Sequence, residues 1–95
     1  MTIHYTHESI SDLARLREFI AENNPSAASR IATELKQGIK RLAKFPNIGI
    51  AVINAPKPQA IRDLYIGNYI IRYLIANNDI YILRLWHDKE SERNS

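Results

Sequence analysis

The sequence predicts a small α+β domain in the order βααβββ, an αα-hairpin packed on one face of a small, mainly antiparallel sheet. Three observations predict it. Two apolar stripes at helical spacing, Ile10-Leu13-Leu16-Ile20 and Ala28-Ile31-Leu35-Ile39-Leu42, have the break Asn23-Asn24-Pro25 between them. The last third of the chain is dense in β-formers and broken only by Gly67-Asn68 and Asn77-Asn78-Asp79. The chain has 95 residues, enough for one domain over residues 1–95 and one thin core.

Residues 2–6 alternate, with Ile3 and Tyr5 on one side and Thr2, His4 and Thr6 on the other, which reads as a short strand. Ser9 precedes the first apolar stripe and Asp12 follows three positions later, so Ser9 is the expected N-cap and Asp12 its capping-box partner. Asn24 caps the second helix and Pro25 takes its first turn, where a missing N–H loses nothing. Gly38 sits inside that helix at a cost of about 1 kcal/mol relative to Ala, which close packing against a neighbour explains. Pro46 ends the helix. Residues 46–60 hold Pro46, Gly49, Pro56 and Pro58 and read as irregular, with Ile48, Ile50, Val52 and Ile53 available to pack. Strands follow at residues 61–65, 69–76 and 80–87, and their short connections require an antiparallel meander.

Register decides what the three strand arginines do. If each turn leaves three residues unpaired, Arg62 faces Arg72 and Arg72 faces Arg84, giving a cationic row that a sheet does not tolerate without anionic partners. A two-residue Gly-Asn turn instead moves Arg62 to the other face. The plainer reading is that these arginines are solvent-face or edge residues, some neutralised by Asp63, Asp79 or Asp88. Trp86-His87-Asp88-Lys89-Glu90 is a second candidate, because an aromatic plane, an imidazole and a cation suit RNA stacking and proton transfer. Against it, Trp86 alone serves equally well to close one end of the core.

Composition excludes several classes. With 45% apolar and 24% charged residues the chain folds rather than staying disordered. It has no cysteine, so no disulfide framework and no thiolate metal site. His4, His7 and His87 have no metal-ligand spacing, and no phosphate-binding glycine loop or nucleophile elbow occurs. No cofactor and no metal are expected. No apolar run nears the ~20 residues of a membrane span, and residues 1–6 lack the features of a secretory signal, so a cytoplasmic protein with no membrane partner is expected. Residues 1–23 carry four acids against two bases, and residues 30–44 five bases against one acid. That contrast suits two antiparallel helices with solvated faces. A nucleic-acid surface is the alternative.

Taken in order, several short motifs resemble the RelE/ParE toxin superfamily over roughly residues 3–90. They are Asp12-Leu13; Leu42-Ala43-Lys44-Phe45-Pro46-Asn47-Ile48-Gly49; Arg62-Asp63-Leu64; Gly67-Asn68-Tyr69-Ile70-Ile71-Arg72-Tyr73; and Ile82-Leu83-Arg84-Leu85-Trp86-His87. The resemblance implies the toxin of a type II toxin–antitoxin (plasmid stabilization) system, neutralised by a cognate antitoxin. The superfamily has two activities, messenger RNA cleavage at the ribosome and poisoning of DNA gyrase. In the cleaving branch an arginine commonly follows the Gly-x-Tyr tyrosine, and here that position is Ile70. The basic and aromatic residues that branch places after the last strand are reduced to Lys89 and Arg93. Losing one charge-stabilising group from such a site costs about 3 kcal/mol or more of barrier stabilisation. The resemblance therefore favours a gyrase poison without catalytic residues. The alternatives are a ribosome-dependent endoribonuclease using Arg62, Arg72, Arg84, His87 and Lys89, or a non-toxic relic that only binds an antitoxin.

A partner surface is also expected. If the helices cover the face of Tyr69, Ile71, Tyr73 and Ile75, the opposite face, with Ile70, Arg72 and Leu74, stays open beside Arg84 and Trp86. Part apolar and part cationic, it would suit an acidic amphipathic antitoxin segment, with the αα-hairpin as the alternative docking site.

Overall fold

A computed structural model describes residues 1–57 and 60–90. Its elements are β1 (Ile3–Tyr5), α1 (His7–Asn23), α2 (Pro25–Lys40), a 3₁₀ turn (Arg41–Ala43), β2 (Ile50–Ala51), β3 (Ile61–Ile66), β4 (Tyr69–Ala76) and β5 (Asp79–His87). The sheet order is β1-β5-β4-β3-β2. β1 runs parallel to β5 and every other pair is antiparallel. This is the α+β architecture expected, with one added strand.

The helix hairpin starts earlier than its stripe suggests. Thr6, not Ser9, is the N-cap: its hydroxyl accepts the Ser9 N–H at 3.2 Å and donates to the Ile82 carbonyl at 2.7 Å. One side chain thus ends β1, opens α1 and ties both to β5. Ser9 lies a turn inside the helix, buried, with its hydroxyl donating to the Thr6 carbonyl. Asp12 is therefore released from any capping role. Asn24 caps α2 through the Ala27 N–H, with Pro25 in the first turn. Gly38 lies against the Ile66 side chain so closely that a Cβ would collide with it.

The helices cover one sheet face. Leu16, Leu35, Ile39 and Leu42 meet Leu64, Ile71, Tyr73, Ile80, Ile82 and Leu85 in one core, with Tyr69 and Ile75 packed against it. The Tyr69–Ile75 face is thus the covered one, as the alternation of β4 predicts.

The two hairpins settle the register. Gly67 adopts φ +56° and the β3–β4 turn spans two residues, so Arg62 pairs with Tyr73 and Asp63 with Arg72. The three-arginine row is not formed, because Arg62 lies on the helix-covered face. Asn77 and Asn78, at φ 52° and 65°, make a second two-residue turn. Between Tyr73↔Ile82 and Arg72↔Arg84 the register shifts, leaving Leu83 as the extra residue of a bulge. Arg72 faces Arg84, as a three-residue turn would also have placed them. The bulge swaps the faces of β5 beyond Leu83, so that Leu85 enters the core and Arg84 leaves it.

Residues 46–53 are less irregular than expected. The Tyr73 hydroxyl is buried, donates to the Pro46 carbonyl at 2.7 Å and accepts the Gly49 N–H at 2.9 Å. Burial pushes the phenol above its ordinary pKa and keeps it a donor. Arg62 donates to the Gly49 carbonyl at 2.8 Å, and a Cβ on Gly49 would collide with the tyrosine ring. Held this way, Ile50–Ala51 pairs with β3 as an edge strand. Ile48, Ile50 and Ile53 do not pack into the core; they are exposed. Tyr73→Phe should lower stability by about 1–3 kcal/mol, because it leaves a buried carbonyl and N–H without the phenol. Urea titration would measure the loss, and the fold measured by circular dichroism should be retained.

Candidate functional site

The arginines predicted to face a partner are bound within the chain. Arg72 grips Asp63 across the β3–β4 ladder with Nε and Nη2, each 2.9 Å from a carboxylate oxygen. Its guanidinium lies 5.2 Å from the Trp86 ring centroid. Arg72, Ile70 and Trp86 are 5–6% exposed. The second face is therefore closed at its centre, contrary to the sequence expectation. A cross-strand carboxylate cancels the charge and an indole covers it. Leu74 is half-buried at its margin.

Arg84 is neutralised from a different element. β1 accompanies β5 only to Ile82, and the bulge turns Arg84 toward the uncovered edge. There Arg84 Nε and Nη2 donate to Asp12 of α1 at 2.8 and 3.1 Å. The Leu85 N–H donates to the same carboxylate at 2.9 Å, and Arg15 Nη1 at 2.7 Å. Arg15 Nη2 also reaches the Leu85 carbonyl and Glu90, whose carboxylate accepts the His87 N–H at 2.9 Å. Two carboxylates and a guanidinium thus occupy main-chain positions that a further strand would take, which protects this edge. Asp12, 2% exposed, is the residue that sequence reasoning missed as a site. Its signals were the Asp12-Leu13 motif and an acid at a position where a periodic stripe places the helix's inner face.

The Trp86–Lys89 stretch divides between the two sides of the sheet. The His87 ring meets Tyr69 edge-on at 5.1 Å and tilts toward Phe19 at 6.5 Å. His87 Nδ1 accepts the Lys89 N–H at 3.1 Å and stands 3.2 Å from Asp88 Oδ1. His87 and Trp86 therefore point to opposite faces. Arg62 lies under residues 47–49 on the helix-covered face, apart from Arg72 and Arg84, which face one another and are bound to separate aspartates. Arg93 lies outside the described residues. Among those described, no three His, Cys, Asp or Glu side chains are grouped to hold a metal, and no helix is long and apolar enough to cross a membrane.

An open concavity lies on the helices. A groove of about 580 Å³ runs along the seam of α1 and α2, floored by Leu16, Leu35 and Ile39. Ala28 and Ala32 leave it wide, and Ile10, Leu13 and Tyr5 line its other side. Its charged lining is entirely cationic: Arg17, Lys36 and Lys40.

Two helices on one face of a bulged, edge-protected five-stranded sheet of this order define a small α+β domain. The family described as "ParE toxin of type II toxin-antitoxin system, parDE" matches residues 3–92, and the chain belongs to it. It is the toxin component of a type II toxin–antitoxin pair, with an antitoxin as partner. Toxin RelE2 of Caulobacter vibrioides is 31% identical over 84 residues, covering 87% of this chain and 90% of that protein. Toxin RelE1 of the same organism is 28% identical over 85 residues, covering 83% and 84%. A chain from the structure titled "Chromosomal ParDE TA system from P. aeruginosa" superposes with TM-score 0.75 at 19% identity, covering 92% of this chain and 95% of that one; this likeness is one of fold.

The Asp12 cluster makes stability depend on pH. Burial alone would raise the carboxyl's pKa, but the bonds from Arg84, the Leu85 N–H and Arg15 outweigh it and hold it below the ordinary carboxylate range. A depressed carboxyl contributes stability above its unfolded pKa of about 4 and loses it as pH falls through the folded value. Asp12→Asn should therefore cost about 3–5 kcal/mol at pH 7, the loss typical of a broken buried ion pair. Denaturant titrations should show this gap narrowing below about pH 4.

Proposed function

We propose that this chain arrests growth as a gyrase poison: it binds DNA gyrase, has no catalytic residues of its own, and is silenced when its antitoxin fills the α1–α2 groove. The observation that carries the reading is the internal commitment of Arg72 and Arg84 to Asp63 and Asp12. A metal-free ribonuclease needs cations converging on the scissile phosphate. Here the two facing guanidiniums already hold carboxylates, the third strand arginine is on the other face, and Ile70 is buried where a further cation would stand. Proteins named RelE toxins at 28–31% identity support a second reading, ribosome-dependent messenger cleavage in which His87 or Lys89 assists proton transfer.

The antitoxin is assigned to the groove rather than to the Arg72–Arg84 face for a physical reason. Ile70, Arg72 and Trp86 have little surface left to offer, whereas the groove is apolar, wide at its two alanines and rimmed only by cations. An acidic amphipathic helix meets both features, laying its apolar stripe over Ala28 and Ala32 and its acids beside Lys36 and Lys40. Both activities proceed in the cytoplasm.

Purified toxin should inhibit gyrase supercoiling or trap cleaved DNA at concentrations that arrest growth. No effect on either, together with transcript cuts between codon positions in expressing cells, would establish the ribonuclease reading instead. Expression without antitoxin that leaves growth unchanged would identify a relic. Ala32→Trp, an exposed substitution that fills the groove, should weaken antitoxin binding tenfold or more in calorimetry while leaving the melting temperature unchanged.

A further inference from the structure

Five of the large apolar side chains most exposed in this protein come from one corner. Phe45, Ile48, Ile50, Ile53 and Tyr65 are 50%, 41%, 64%, 85% and 58% exposed. Phe45 and Ile48 bracket a turn closed by the Ile48 N–H on the Phe45 carbonyl. Ile50 pairs with Asp63, so it shares the outer sheet face with Tyr65, two residues further along β3. Val52 N–H bonds to the Ile61 carbonyl, which extends the pairing toward Ile53. The corner is an edge, since β2 ends the sheet.

This is not slack chain left over after folding. The Tyr73 phenol and the Arg62 guanidinium reach from beneath to fix Pro46, Asn47 and Gly49 by their backbone groups. Buried polar groups are spent holding an apolar segment rigidly in water. The opposite edge of the sheet is treated in the contrary way, with Asp12, Arg15 and Glu90 closing the main chain of β5. One edge is shut and the other is presented with isoleucines.

Charge identifies what fits. Between Leu42 and Ile61 the chain carries Lys44 and Lys57 and no acid. Lys44 and Lys57 flank Phe45, Ile48, Ile50 and Ile53 in the sequence, and both are exposed. A second copy of the chain would bring cations against cations. A nucleic acid would satisfy the lysines but gain little from exposed isoleucines, because phosphate and base recognition use guanidinium and aromatic planes. An extended protein segment with alternating apolar and acidic residues satisfies both features, pairing its backbone with β2 and placing its acids near Lys44 and Lys57.

We infer that this corner is the target-binding face: an extended acidic segment of the protein that the toxin disables adds to β2 and buries Ile50 and Ile53. The inference rests on the reading of the chain as a toxin that acts by binding. It separates the two partners in space, the antitoxin on the helix seam and the target on the far edge of the sheet.

Two double variants test it, Ile50→Thr with Ile53→Ser and Lys44→Glu with Lys57→Glu. Each changes exposed side chains outside the groove, and unchanged antitoxin affinity and circular dichroism report an intact fold. For both, half-inhibition of gyrase supercoiling should require at least tenfold more toxin, growth arrest should be lost at the wild-type inducer level, and antitoxin affinity should stay within twofold. Variants as potent as wild type would overturn the inference. So would a tenfold loss of antitoxin affinity, a defect confined to the lysine pair with matching loss of DNA binding, a wild-type dimer dissolved by the isoleucine pair, or a wild type that arrests nothing. If wild type arrests growth without touching gyrase and the variants do not arrest it, the gyrase reading falls and the face stands.

Discussion

A single carboxylate joins the two halves of this molecule. Asp12 is buried on α1 and receives Arg84, Arg15 and the Leu85 N–H. An ionised carboxylate buried without such partners costs several kcal/mol, so α1 can settle in its native position only where β5 supplies a guanidinium and a free N–H side by side. That requirement explains otherwise separate features. β1 must stop at Tyr5, or it would take the Leu85 N–H. The bulge at Leu83 must occur, or Arg84 would enter the core and Leu85 would leave it. Thr6 must turn the chain at once, so that α1 starts beside the strand it will cap.

Arg72 and Arg84 stand opposite one another, an arrangement that a sheet accepts only with compensation. Here the compensation is local and double, Asp63 from the adjacent strand and Asp12 from a helix. Each arginine is thereby a structural cation, and Trp86 over Arg72 removes most of what remains from solvent. Two facing cations in the sequence became a pair neutralised within the fold.

Elements defined by near neighbours were legible in the sequence. Asn24-Pro25 capped α2 as expected, because a cap and its helix are adjacent in the chain. The turn residues placed β3, β4 and β5 within a residue or so of their ends. What escaped depends on contacts between distant residues. Thr6 and Ser9 are both competent caps, and only the Ile82 carbonyl on Thr6 chooses between them. The partner of Asp12 lies 72 residues away. The Arg72–Arg84 pairing was inferred from a three-residue turn. It holds through a two-residue turn plus a bulge, which shift the register equally, so that the pair was legible and its cause was not. The exposure of Ile48, Ile50 and Ile53 was not legible, because composition does not reveal which side of a pinned segment faces water.

β1 has a further consequence, one of timing. It is three residues long, and its partners on β5 lie in the last strand among the described residues. Ribosomes add roughly 5–20 residues per second, so Asp12 emerges seconds before Arg84 exists to receive it. Until then α1 has a charge it cannot bury and the sheet lacks the strand on which both ends of the domain close. A chain that stops short of β5 lacks both the partner of Asp12 and the strand that joins β1 to the rest of the sheet.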